Sequence, residues 1–85
     1  MIRFVPDHNP RLQERLERFG VAVRNARRAK GLSQEELAHL SGLHRTYVGS
    51  VERGERNISL SSAWAFADTL DLRLTDLVSE ADAGG

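Results

Sequence analysis

With 85 residues, 40% of them apolar and 28% charged, the chain is long enough for one small globular domain and too apolar for a disordered one. No apolar run reaches the roughly 18 residues of a membrane helix, the N-terminus lacks a signal-peptide stretch, and the absence of cysteine excludes disulfides and thiolate metal sites, so a cytoplasmic protein is expected. The formal charge is zero, yet residues 1–30 hold eight basic side chains against three acidic and residues 59–85 hold one against five, a division that would orient the molecule on a polyanion.

Both prolines lie in the first ten residues, which leaves the remainder free to be helical. Residues 1–10 read as an N-terminal extension ending in Asn9-Pro10, an N-cap followed by proline at the first helical position. The first helix runs to about Lys30, where Gly31 stops it, and Leu12, Leu16, Phe19, Val23 and Ala26 form its apolar stripe. Gly20 weakens that helix by about 1 kcal/mol relative to alanine; either another helix approaches closely there, or the helix starts nearer Leu16. Ser33 and Glu36 make an S-x-x-E capping box. The second helix that they open runs to about Ser41, with Leu37, Ala38 and Ser41 inward. Gly42 supplies a left-handed turn, His44 is a candidate cap, and a third helix covers 45–53 before Gly54. Ser59 caps a fourth helix to about Leu70. Its Leu60, Ala63, Trp64, Phe66, Ala67 and Leu70 exceed one stripe, so cover on two sides is expected. After a turn at Asp71 to Arg73, a short fifth helix runs from Leu74 to about Ser79, and 81–85 form a flexible tail. No segment alternates as a strand would. The expected fold is all-α, a compact five-helix bundle occupying residues 11–80.

The second and third helices, joined by a turn of three to four residues containing Gly42, have the spacing of a helix-turn-helix. On a helical wheel Val48 and Val51 point inward, while Thr46, Gly49, Ser50 and Arg53 point outward, with Arg45 and Tyr47 at the edges. Short outer side chains suit a helix that enters a DNA major groove, and Arg45 at the leading end can donate twice to a guanine, discriminating by roughly 1–3 kcal/mol. Thr46 can meet a thymine methyl or donate to a base or phosphate. An ordinary surface helix would give no return for an exposed Gly49, which costs about 1 kcal/mol.

The run "GLSQEELAHLSGLHRTYVGSVERGERNISL" resembles the XRE-like, lambda/Cro-type helix-turn-helix family of phage repressors and bacterial regulators. Within it, "SGLHRTYVGSVERGERN" is most similar to controller proteins of restriction-modification systems. The resemblance covers about residues 16–78. It implies a lambda-repressor-like DNA-binding domain in which Arg45, Thr46, Ser50 and Gly49 lie at the bases. Gln34, Ser33, His44, Tyr47, Arg53, Arg56 and Asn57 would meet phosphates, which position a protein without reading sequence. It further implies that Arg27 and Glu52 form a structural ion pair between the first and third helices. Residues 1–10 precede the family's usual first helix; they would be disordered, pack on a partner subunit, or reach DNA through Arg3.

His8, His39 and His44 lack metal-ligand spacing, no serine has a plausible base, and no glycine-rich phosphate loop exists, so no metal, cofactor or enzymatic activity is expected. The expected function is a homodimeric, sequence-specific transcription regulator, repressor or activator, on a pseudo-palindromic double-stranded operator. Trp64, Leu72, Leu74, Leu77 and Val78 are the candidate dimer interface, with Trp64 equally a core candidate. RNA polymerase is a further candidate partner. The competing reading is an antitoxin-type regulator that also binds a toxin.

Overall fold

The structure, a computed structural model, describes residues 10–82. It consists of α1 (Pro10–Ala29), α2 (Gln34–Ser41), α3 (Arg45–Glu52), α4 (Leu60–Thr69) and α5 (Leu74–Asp82), with no strand among the described residues. The expected N-cap Asn9, the rest of the N-terminal extension before Pro10, and tail residues 83–85 lie outside them.

Local chemistry sets the boundaries. Ser33 Oγ accepts from the Glu36 N–H at 3.0 Å while Glu36 Oε1 accepts from the Ser33 N–H at 2.8 Å, closing the capping box of α2. The backbone hydrogen bond from Ser33, helped by its hydroxyl, holds the Glu36 carboxyl below the usual glutamate range. Gly42 ends α2 at φ 75°, where a side chain would be strained, and Leu43 N donates to Ala38 O at 3.0 Å. Ser59 caps α4 by accepting from Ser62 N at 3.2 Å. His44 occupies the N-cap of α3 in extended backbone, but its side chain makes no capping bond, contrary to expectation.

α1 lies against both α3 and α5, α2 packs on α3 and α4, and α4 closes against α5. Phe19, Val23, Leu37, Val48, Val51, Phe66, Leu70 and Leu77 form one core with the small residues Ala22, Ala38, Ala63, Ala67 and Ala81. Gly20 explains how α1 and α3 meet. A Cβ there would fall 2.4 Å from Val51 O and 2.5 Å from Glu52 O, so α1 crosses the end of α3 backbone against backbone.

Three expectations change. α5 continues past Ser79 to Asp82, because Ala81 is 7% exposed and completes the core stripe one turn beyond Leu77. The outer side of α4 is not covered by the described residues: Leu60 is 66% and Trp64 51% exposed. The two charged regions of the sequence are bridged by two ion pairs among the described residues. Arg15 pairs with Asp82 at 3.6 Å and Lys30 with Asp71, so α1 partly neutralises the acidic C-terminal region on which it packs. Among the described residues no helix is long and apolar enough to cross a membrane, and no cluster of histidines and carboxylates is placed to hold a metal ion.

Candidate nucleic-acid interface

The third helix is held from behind by one carboxylate. Glu52, its side chain inaccessible to solvent, accepts from Arg27 Nε at 2.6 Å and Arg27 Nη2 at 3.0 Å. Gln34 Nε2 donates to Glu52 Oε1 at 3.0 Å, and Arg24 Nε reaches the same oxygen at 3.5 Å. Arg27 Nη1 also donates to Leu32 O at 2.9 Å, fixing the connection from α1 to α2. Burial alone would push the Glu52 carboxyl up; hydrogen bonds from Arg27 and Gln34, the Arg27 charge and the Arg24 contact outweigh it and leave the group below its ordinary value. Three helices thus converge on Glu52. The family resemblance implies the Arg27–Glu52 pair but not the Arg24 contact. Arg24 precedes Arg27 by three residues, the same-face spacing that would have found it.

From this support α3 presents Arg45 and Thr46, both exposed, in its first turn. The outward face is narrower than the wheel predicted. Ser50 is 6% exposed; its Oγ donates to Tyr47 O at 2.8 Å and accepts from Arg56 Nε at 3.3 Å. The chain after α3 folds back over it, Glu55 N donating to Ser50 O at 2.9 Å. Gly49 is buried too. A Cβ on it would lie 3.2 Å from Arg53 Nη1 and 3.6 Å from Gln34 Oε1, so Gly49 is covered by these two side chains rather than open.

The remaining candidates surround this helix. The Arg56 guanidinium sits 5.6 Å from the centroid of the half-buried Tyr47 ring, a cation–π contact that joins Tyr47, Ser50 and Arg56 into one group. Arg53 is exposed and paired with Glu55 at 3.1 Å. His44 and Asn57 are exposed, and Ser33 spends its hydroxyl oxygen as the α2 cap. Away from α3, Leu77 is 2% exposed and belongs to the core of its own chain, so it is withdrawn as an interface residue. Leu72 and Leu74 are half-buried against that core. Val78 at 46% and Trp64 at 51% remain exposed, and Leu60, not anticipated for this surface, joins them.

The helix-turn-helix family matches residues 23–77. Control protein C.SmaI of Serratia marcescens is 51% identical over 57 residues, covering 67% of this chain and 68% of that protein. Control protein C.BamHI of Bacillus amyloliquefaciens is 43% identical over 61 residues, covering 71% and 75%. In three dimensions the chain is similar to the restriction-modification controller protein C.AhdI of Aeromonas hydrophila, with a TM-score of 0.72 and 55% identity over 73% of this chain and 94% of that one.

Proposed function

We propose, for a chain that belongs to the helix-turn-helix family of transcription regulators, that it binds a pseudo-palindromic operator as a homodimer and controls the genes of a restriction-modification system. The observation that carries this reading is the pairing of exposed Arg45 and Thr46 with a helix braced from behind at Glu52. A fixed helix holds an arginine fork in the plane of a base edge; a loose one would forfeit the entropy of aligning it. In this reading Arg45 and Thr46 read bases, with Gly49 beneath them keeping the helix slim, while Ser50 acts indirectly by anchoring Arg56. Gln34, Ser33, His44, Tyr47, Arg53, Arg56 and Asn57 are phosphate contacts. Two copies would set their third helices in successive major grooves about 34 Å apart. The control proteins to which the chain is similar support the regulatory role.

The experiment is a mobility-shift titration on a duplex carrying the gene's own upstream region and on a scrambled duplex. Wild type is expected to prefer the upstream duplex. Arg45→Ala is expected to lose about 1–3 kcal/mol of that preference while keeping most of its affinity for the scrambled duplex. Unchanged discrimination by the variant would overturn the role of Arg45, and a wild type indifferent to sequence would overturn the function.

A further inference from the structure

The cluster around Glu52 holds more positive charge than one carboxylate can neutralise. Arg27 takes both carboxylate oxygens and is nearly buried, its side chain 9% exposed. Arg24 makes only long contacts, 3.5 Å from Nε to Glu52 Oε1 and 3.5 Å from Nη2 to Glu52 O, and its side chain is 34% exposed. The surplus charge therefore faces solvent on Arg24. Its neighbour is fixed by a shared atom: Gln34 Nε2 bonds the same Glu52 oxygen at 3.0 Å. Gln34 also opens α2, where the Gln34 and Glu35 amides have no intrahelical acceptor while the Glu36 amide is taken by Ser33 Oγ. One guanidinium, a carboxamide and two backbone amides are the donor set for one phosphodiester oxygen pair.

We infer that Arg24 is a phosphate-binding residue, acting with Gln34 to clamp one backbone phosphate of a DNA strand beside α2. This rests on the DNA-binding reading above. The anchoring of Arg24 to Glu52 ties the clamp to the carboxylate that holds α3, so phosphate engagement and recognition-helix placement share one support. Because the site reads backbone, it adds affinity on every sequence and discrimination on none.

Arg24→Gln and Arg24→Lys test it, with dissociation constants measured by fluorescence anisotropy from about 50 to 200 mM salt on the upstream and scrambled duplexes. One phosphate contact contributes about 0.9 to the slope of log affinity against log salt, or about threefold across that range. Arg24→Gln is expected to lower the slope by about that amount on both duplexes, with their ratio unchanged; Arg24→Lys, keeping the charge, is expected to retain the wild-type slope. Thermal unfolding without DNA accompanies both, since Glu52 keeps Arg27 and Gln34 in either variant. A wild-type slope in Arg24→Gln, or a melting-point loss that alone accounts for weaker binding at every salt concentration, would overturn the inference. Failure of the wild type to bind either duplex would instead overturn the reading on which it rests.

Discussion

Glu52 is tolerated as an anion in the interior only because two helices supply its donors. Removing its charge would leave Arg27 buried without a counter-ion, so Glu52→Gln should cost about 3 kcal/mol at pH 7, measured by urea unfolding. The same carboxylate governs an acid limb. Its pKa is depressed in the folded protein, so the stability it contributes is complete above the unfolded glutamate value of about 4.3 and is lost as pH falls through the lower folded value. The gap between wild type and Glu52→Gln should therefore narrow as pH falls below about 4.3; a constant gap would mean that the carboxylate titrates normally. The Arg27–Glu52 pair was legible through family resemblance, and Arg24 through spacing alone. Ser50 was not legible, because a helical wheel treats α3 as isolated. Its hydroxyl is hidden by the returning chain at Glu55 and Arg56, a non-helical segment with no periodicity to read.

At the scale of helices, the contact between α1 and α3 depends on one absent methyl group. Gly20→Ala would gain about 1 kcal/mol of helix propensity. It would also press a Cβ against the carbonyls of Val51 and Glu52, which cannot rotate away as a flexible side chain would. The overpacking cost lies at or above the upper end of roughly 1–3 kcal/mol, so a net loss of about 2 kcal/mol is expected in urea or thermal unfolding. Operator affinity should fall with it, because the shift would move Glu52 away from Arg27 and Gln34. A variant as stable as wild type would show that the two helices can separate freely. Helix boundaries were readable because capping serines and left-handed glycines are local chemistry, as at Ser33, Gly42 and Ser59. The end of α5 was misread because "ADAGG" has the composition of a tail, whereas Ala81 lies four residues after Leu77 and continues the buried stripe. The apolar residues of α4 do make two faces, but the cover expected on the second is not supplied by the described residues.

For the whole molecule, that second face and the charge arrangement lead to one expectation. The Arg15–Asp82 and Lys30–Asp71 pairs offset part of the sequence's charge division. A monomer with one short recognition helix and one set of phosphate contacts would bind more weakly than two, and doubling the contacts is the available remedy. Leu60 and Trp64 on α4 and Val78 on α5 leave an apolar surface at 66%, 51% and 46% exposure, and Leu74 and Val78 line clefts beside both α4 residues. On the proposed dimer this surface is the contact between copies, a two-fold arrangement in which α4 and α5 of each chain meet their equivalents. Val78→Asp separates this role from a folding role, because a side chain nearly half exposed in the monomer can be made polar with little effect on monomer stability. Burying two uncompensated carboxylates at a two-fold interface should weaken dimerisation by roughly 3 kcal/mol or more, over a hundredfold in dissociation constant. Sedimentation at micromolar protein should then give a dimer for wild type and a monomer for Val78→Asp, with unchanged circular dichroism and a large loss of operator affinity. Leu77→Asp, one residue away but 2% exposed, should instead unfold the chain. A Val78→Asp protein that remains dimeric would move the interface elsewhere, and a wild type that is monomeric both free and on DNA would remove the two-fold operator from the proposal.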